Sequence, residues 1–297
     1  MAVGKERRDS DMRGMKWNRA ISVLLAAMLF VGLWQPAGMA RAWAAQDEGL
    51  LAGTELLAHY EFTEGGKDSS GNNNNAVIGA GVTVKDGVAS LPGGSANGSA
   101  FITLPEGMFD RQDTLTISMW LRDNDPRENW LGAFFFGTGF PTYYYYFVPC
   151  EKQHNTLKSV MTTSANEARP MDTERGLRNS IRTENYHGVW THYAIVLQPG
   201  SMTCYIDGEW VGEEKNLAMK VSDFGTGLQS YIGKSNYDDP LYKGDFKDFR
   251  IYKNALTEAQ INQIVGKQPG SAQYSMAIDG NKVSKKLSSS LYGLFYE

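Results

Sequence analysis

The sequence has few of the residues that mark several common classes of protein. Its 297 residues include only two cysteines and four histidines. Two cysteines exclude a disulfide-rich scaffold, and Cys150 and Cys204 form either one disulfide bond or two separate buried thiols. The histidines show neither the HExxH nor the HxH spacing of zinc sites, so none is predicted to bind zinc.

Basic residues are also in short supply. Residues 1–44 hold seven of the 29 Lys and Arg and three of the 33 Asp and Glu, which leaves 22 basic and 30 acidic residues in the remainder. A net charge near −8 argues against nucleic acid as a partner, because phosphate backbones are bound by basic surfaces.

Recognisable catalytic patterns are missing as well. No GxSxG elbow or phosphate-binding loop is present. A retaining glycosidase needs two carboxyl groups about 5–5.5 Å apart, and no local pattern singles out such a pair. The acidic clusters at 125–128, 172–174 and 238–239 lie in loop-like stretches that favour solvated charge. No catalytic residue is therefore predicted within this chain.

A long apolar run is absent except near the beginning. Residues 21–34 are apolar but shorter than the roughly 20 residues of a membrane span, and they follow Lys16 and Arg19. Ala42 and Ala44 supply small residues at the −3 and −1 positions of a cleavage site after Ala44. This pattern predicts a signal peptide over residues 1–44 and a secreted protein; a retained anchor is the alternative, and translation starts at either Met1 or Met15.

What is plentiful is a pattern of short strands separated by turn residues. The segment LTISMWLR (115–122) alternates four aliphatic residues with Thr116, Ser118 and Trp120, as expected of a strand with two different faces. The segment MTCYIDGEWVG (202–212) predicts a hairpin with Asp207 and Gly208 in the turn. The segments LLAHYEF, WTHYAIVL and DFKDFRIY also predict strands.

One helix is predicted near the end of this β pattern. In NALTEAQINQIVG (254–266), Thr257 is a capping residue and Gly266 ends the helix. A KQPG break follows. The sequence thus predicts a linker over 45–53 and one antiparallel β-sandwich over 54–266, without the βαβ alternation of a parallel sheet.

Four segments, in this order, resemble the laminin-G-like, concanavalin A-like modules of secreted bacterial glycoside hydrolases. They are YEFTEGGKDSSGNNNNAVI, LTISMWLR, WTHYAIVLQPGSMTCYIDGEWVG and YIGKSNYDDPLYKGDFKDFRIYKNALTEAQI. The resemblance covers residues 54–266. It implies an all-β fold, an antiparallel jelly-roll sandwich with one short C-terminal helix.

The same resemblance implies one structural Ca²⁺ ion, which many members bind near the join of the first and last strands. The matching positions here are Asp68, Asn72 and Asp248, whose oxygens are of the type that calcium prefers. Lys247 departs from the pattern, since many relatives carry an acidic residue there. The alternative is an Asx turn at Asp68 and a solvated Asp248.

The last twenty residues, IDGNKVSKKLSSSLYGLFYE (278–297), resemble a second family. They are similar to the opening strand of α-L-arabinofuranosidases of glycoside hydrolase family 51, in which the strand leads into a (β/α)₈ barrel. We therefore expect residues 267–297 to be a linker and the truncated first strand of a catalytic domain. The resemblance implies that Glu297 contacts substrate and that the catalytic glutamates lie beyond this sequence.

Aromatic residues in loops are the candidates for sugar binding, because flat rings stack on the C–H faces of sugars. Trp120 and Trp190, inside regular strands, are expected in the core, while Trp210 faces either sheet. The alternative for the tyrosines is that they close the rim of the sandwich. The predicted substrate-binding residues are Trp130, Tyr143, Tyr145, Tyr237, Tyr242 and Glu297.

These observations predict a secreted carbohydrate-binding accessory module of an α-L-arabinofuranosidase-like hydrolase. Its expected partners are arabinose-containing plant cell-wall glycans, arabinan or arabinoxylan, and a downstream catalytic domain. The alternative is a structural or protein-binding module without affinity for sugar.

Overall fold

The structure is a computed structural model that describes residues 49–124, 130–139, 142–151, 154–163 and 170–266. The predicted signal peptide (1–44), the family-51-like tail and Glu297 lie outside the described residues. Within the described part of the chain, no helix is long and apolar enough to cross a membrane.

Short β-strands dominate the described residues, and a single α-helix, α1 (Glu258–Val265), follows the last strand. Short 3₁₀ turns occupy Pro170–Thr173, Glu184–Tyr186 and Val221–Phe224. The strands are β1 (Leu56–Tyr60), β2 (Val77–Ile78), β3 (Thr83–Lys85), β4 (Val88–Gly94), β5 (Ile102–Leu104), β6 (Leu115–Asp123), β7 (Phe134–Gly137), β8 (Tyr143–Glu151), β9 (Thr156–Thr163), β10 (Arg175–Arg182), β11 (Trp190–Gln198), β12 (Ser201–Ile206), β13 (Glu209–Lys215), β14 (Gln229–Ile232) and β15 (Leu241–Tyr252).

The strands form two antiparallel sheets. The first sheet has the order β13-β12-β11-β6-β15-β4-β3, and β1 also pairs with β15. The second sheet has the order β10-β9-β8-β7-β14-β5-β2. The prediction of an antiparallel β-sandwich with one short helix is therefore confirmed.

The core lies between the inner faces of the two sheets. From β6 it takes Leu115, Ile117, Met119 and Leu121, the four aliphatic residues of the alternating segment. The second sheet contributes mainly aromatic rings, among them Phe136 of β7, which stacks on Phe109 of the β5–β6 connection with ring centroids 4.3 Å apart. Burying such side chains contributes about 1.5–3 kcal/mol each, which makes this interface the main source of stability.

The predicted hairpin is confirmed. β12 and β13 are joined by Asp207 and Gly208, whose φ angles are 48° and 82°. Positive φ at both central residues is the requirement of a type I′ turn, which Asp-Gly satisfies at low cost.

The predicted helix is confirmed together with both of its ends. The Thr257 hydroxyl accepts a hydrogen bond from the Gln260 amide, and the Gln260 side chain accepts one from the Thr257 amide. Gly266 ends the helix in the left-handed conformation with φ 80°. The apolar side of the helix, with Ile261 completely buried, packs on Ala194 and Val196 of β11.

The two cysteines are present as thiols rather than as a disulfide. Cys204 lies in β12 and is completely buried, whereas Cys150 lies in β8 of the other sheet. Burial raises the pKa of the Cys204 thiol to about 12, so the thiolate is rare at neutral pH.

Substitution of Thr257 by alanine should lower the free energy of unfolding by about 1 kcal/mol, because it leaves the first amide groups of α1 without their cap. Chemical denaturation of residues 45–266 measures the change. Thr63→Ala, at an exposed position, is the matched control and should stay within about 0.5 kcal/mol of the parent. Equal stabilities of the two variants would contradict the capping role.

Candidate functional site

Two of the predicted sugar-binding tyrosines are in the core. Tyr145 is completely buried and its hydroxyl lies 2.9 Å from the Ser159 hydroxyl, while Tyr242 is 1% exposed and packs on Phe246. Neither ring can stack on a glycan, so these two assignments are wrong. Tyr143 and Tyr145 lie on the same face of β8, as the alternation of side chains along a strand requires, but that face is the inner one.

The other predicted platforms are more accessible but scattered. Trp130 and Tyr143 are half-buried, and Tyr143 packs against the main core. Tyr237 is half-buried on the opposite side of the second sheet, where its hydroxyl lies 2.7 Å from that of Tyr144. The structure therefore does not bring the predicted residues together into one surface.

Part of the outer face of the second sheet is closed by the protein itself. Tyr144 and Tyr146 point outward from β8, yet they are 0% and 2% exposed. Tyr237 packs on both rings, and the Tyr144 hydroxyl donates a hydrogen bond of 2.8 Å to Glu174. Glu174 in turn lies 3.0 Å from the buried ammonium group of Lys158. These groups satisfy one another, which leaves the Tyr144–Tyr146 region little surface for a ligand.

The outer face of the first sheet is different, because α1 covers only one end of it. The helix packs on Ala194, Val196 and Tyr252. Beyond the helix, Trp120 on β6 and Trp190 on β11 remain partly exposed. Both had been expected in the core, and that expectation is wrong. We call the surface formed by Trp120, Trp190, Arg122, Asp245 and Lys247 the tryptophan face.

A β-bulge in β15 sets the positions of the basic residues on this surface. Against β6, Lys247 pairs with Trp120 and Arg250 pairs with Ser118, so two residues of β15 stand opposite one of β6. Asp248 within the bulge has a φ of 50°. Without the extra residue, Lys247 and Arg250 would point to opposite faces of the sheet; with it, they share one face.

Lys247 lies between the two indole rings. Its ammonium nitrogen is 4.5 Å from the centroid of the Trp190 ring and 5.0 Å from that of Trp120. Both distances are within the range of cation–π attraction. The lysine therefore bridges the two tryptophans and positions their rings relative to each other.

Arg122 also contacts the Trp190 ring. Its guanidinium carbon is 5.0 Å from the Trp190 centroid, and its Nε donates a 2.8 Å hydrogen bond to Oδ2 of Asp245. The Asn124 amide donates to the same oxygen at 2.7 Å. Burial opposes ionisation of Asp245, but the hydrogen bonds from Ser90, Arg122 and Asn124 outweigh it and lower the pKa of the carboxyl group.

Asp248 forms a second charged group at the edge of this surface. Its Oδ1 lies 2.7 Å from Nε2 of His59 and 2.6 Å from Nε of Arg250, and its Oδ2 accepts from Arg250 at 3.0 Å. Burial alone would raise the pKa of Asp248, but these hydrogen bonds and the arginine charge bring it down to about 2. Arg250 is thus paired with a carboxylate of its own strand.

His192 supports the tryptophan face from within the sheet. It is completely buried, its ring meets that of Trp120 edge-on at 5.4 Å, and its Nε2 lies 2.9 Å from the Ser118 hydroxyl. Burial lowers the pKa of His192 to about 4, with Arg250 also lowering it and Asp248 opposing. A neutral imidazole at this position is consistent with a packing role.

The residues predicted to bind calcium are engaged in contacts within the protein. Asp68 Oδ1 accepts from the His59 and Ser70 amides, and Oδ2 accepts from the Ser70 hydroxyl and the Asn74 amide, all between 2.8 and 2.9 Å. Four donated hydrogen bonds fill the lone-pair positions of a carboxylate.

Asn72 and Asp248 do not complete a calcium site as arranged. The Asn72 amide nitrogen donates to the Leu56 carbonyl at 2.7 Å, and Asp248 is bound by Arg250 and His59. Among the described residues, no group of three or more Asp, Glu, His or Cys is placed to hold a metal. This donor set therefore does not fit calcium without replacement of existing hydrogen bonds, and calcium stays a prediction.

The sequence contains one pattern that indicates the tryptophan face. Trp120 alternates with the aliphatic residues of β6 and shares its face with Thr116 and Ser118. Polar companions at period two indicate an outer face rather than a core. No local signal pointed to Lys247, because its position depends on a bulge and on pairing with a distant strand.

Stability should depend on the protonation of His192. Its pKa is lowered by folding, so the unfolded chain binds more protons below about pH 6.5 and stability falls as the pH drops towards 4. Between pH 7 and pH 5 the loss from this group should be about 2 kcal/mol. Urea denaturation at the two pH values should show a smaller difference for His192→Gln than for the parent.

His187→Gln is the control for this titration, because His187 is exposed. It should keep the pH dependence of the parent protein. An unchanged pH dependence in His192→Gln would show that the buried imidazole does not contribute.

Comparison with known proteins gives one family and several structural likenesses. No curated protein sequence matches this chain. Among solved structures, domain 4 of AbnA, a GH43 extracellular arabinanase from Geobacillus stearothermophilus in complex with arabinotriose, aligns with a TM-score of 0.58 and 23% identity. The alignment covers 71% of this chain and 98% of that one, and at this identity it shows a shared fold.

A second likeness is to the binding domain of botulinum neurotoxin DC in complex with SialylT, with a TM-score of 0.52 and 15% identity. It covers 71% of this chain but only 51% of that one, so the likeness extends over about half of the toxin domain. The family model of the concanavalin A-like lectin/glucanases superfamily matches residues 96–262, which is more than half of the chain. The two antiparallel sheets agree with this match, and the protein belongs to the concanavalin A-like lectin/glucanase superfamily.

Proposed function

We propose that the protein is a carbohydrate-binding accessory module that holds its polypeptide on arabinose-containing polysaccharide. The observation that carries the proposal is the tryptophan face, where two partly exposed indoles flank a lysine. Indole rings offer apolar surface to the C–H groups of a sugar, and neighbouring charged groups offer hydrogen bonds to its hydroxyls.

Arabinose is proposed as the sugar because of the structural likeness to an arabinanase domain seen with arabinotriose. In this proposal the module is secreted by means of residues 1–44, and its parent is an α-L-arabinofuranosidase-like hydrolase whose catalytic domain begins in the 267–297 segment. Binding to the polymer would raise the local concentration of a linked catalytic domain without contributing to the chemistry.

Removing either indole should weaken binding to arabinan or arabinoxylan about 5- to 30-fold. Loss of one stacked ring costs about 1–2 kcal/mol, as for other aromatic contacts. Affinity electrophoresis and isothermal titration with arabino-oligosaccharides measure the effect for Trp120→Ala and Trp190→Ala. Thermal unfolding of each variant separates a binding defect from a folding defect.

Trp210→Ala is the matched control, because Trp210 is 55% exposed on edge strand β13, outside the tryptophan face. It should bind like the parent. Retention of full affinity by Trp120→Ala and Trp190→Ala would exclude this face, and absence of binding to any glycan would favour a structural or protein-binding module.

A structural calcium ion is proposed only from the family resemblance. Calcium at Asp68, Asn72 and Asp248 would stabilise the folded state by mass action and raise the melting temperature of the metal-stripped protein. Calorimetric melting in calcium and in chelator tests this, with magnesium as the control ion. Identical melting temperatures and no heat of calcium binding would show that the protein does not bind calcium.

A further inference from the structure

Resting on the proposed function, we infer that the tryptophan face selects glycans that carry carboxylate groups, such as arabinose polymers substituted with uronic acids, and that Lys247 recognises the carboxylate. Among the residues that the structure describes, Lys247 has no carboxylate and no hydrogen-bond acceptor as a partner, and its contacts are the two indole rings.

The two arginines of this surface are already paired. Arg122 is bound to Asp245 and Arg250 to Asp248, with ion-pair distances of 2.7 and 2.6 Å. Lys243, on the same face of β15, is exposed. The two aspartates balance the two arginines, so within the described part of the chain the positive charge of Lys247 and Lys243 is left over.

This local excess contrasts with the chain as a whole, which has a net charge of −4. An acidic protein repels an acidic polymer at long range, unless a positive site is exposed where the polymer is bound. The tryptophan face supplies such a site. Charge complementarity of this kind gives specificity and register more than raw affinity.

The location of Lys247 also disfavours a neutral sugar as the best ligand. Its ammonium group lies between the rings on which a sugar would stack, so a neutral ring competes with the cation–π contacts. A carboxylate placed beside the indoles keeps these contacts and adds a charge-assisted hydrogen bond to the lysine. A uronic acid presents an apolar ring face and a carboxylate in one residue. An acidic peptide shares only the charge, which makes a glycan the better match for two indoles.

The test compares two forms of one polymer. Uronic acid-bearing arabinoxylan is used as isolated and after chemical reduction of its carboxyl groups to alcohols, which leaves the arabinose content unchanged. Dissociation constants are measured by isothermal titration with residues 45–297 and with the Lys247→Met variant. Lys215→Met is the control, since Lys215 is exposed and paired with Glu213 on edge strand β13, away from the face. Thermal unfolding confirms that the variants are folded.

The parent and Lys215→Met should bind the acidic polymer about tenfold more tightly than the reduced one, the effect of one added charge-assisted contact. This ratio should fall to about one in Lys247→Met and in 0.5 M salt. Equal affinity of the parent for both polymers, or stronger binding of the acidic polymer by Lys247→Met, would overturn the inference while leaving glycan binding intact. No binding to either polymer would instead overturn the proposed function. Binding of poly-glutamate with equal strength would assign the face to acidic peptides.

Discussion

The central strand β15 is the element on which the rest of the molecule depends. It pairs with β6 along its length, with β4 over its first half and with β1 over its second. The change of partner coincides with the bulge around Asp248, and the carboxylate of that residue is bound by His59 of β1 and Arg250 of β15. The bulge thus joins two pairings of different register in one continuous sheet. It also aims Lys247 and Arg250 at the same outer face, where an unbulged strand would separate them.

The two outer faces of the sandwich illustrate how similar aromatic content leads to different roles. On the second sheet, Tyr237 packs on Tyr144 and Tyr146 of β8, and the Tyr144 hydroxyl contacts Glu174 and the Tyr237 hydroxyl. On the first sheet, α1 covers the small and aliphatic end, and the indoles beyond it contact Lys247, Arg122 and the buried His192. Coverage by neighbouring segments, rather than the number of aromatic residues, decides which face remains available for a ligand.

Local chemistry made much of the fold predictable. Asp207 and Gly208 indicated a type I′ turn, Thr257 and Gly266 indicated the two ends of α1, and alternation in β6 identified the aliphatic core residues. The binding surface was less predictable, because alternation shows which residues share a face but not which face another segment covers. For this reason Tyr145, expected to bind sugar, lies in the core, and Trp120, expected in the core, lies on an outer face. The hydrogen bonds that fill the Asp68 carboxylate come from residues up to nine positions away, and an oxygen-rich loop sequence does not reveal such saturation.

The pairing of β1 with β15 has a consequence for how the chain folds. The contact between Leu50 and Gln260 joins residues 210 positions apart, and the ladder from Leu56 to Tyr252 spans nearly the same interval. Contacts of such long range form late and slow folding, since the loop between them must first be closed. During synthesis, β1 emerges first and has no partner until β15 leaves the ribosome. The lysine between the two indoles lies on that same last strand. Under the proposed function, affinity for a glycan is therefore acquired only when the sandwich is complete. A glycan-binding measurement would then report directly on correct folding.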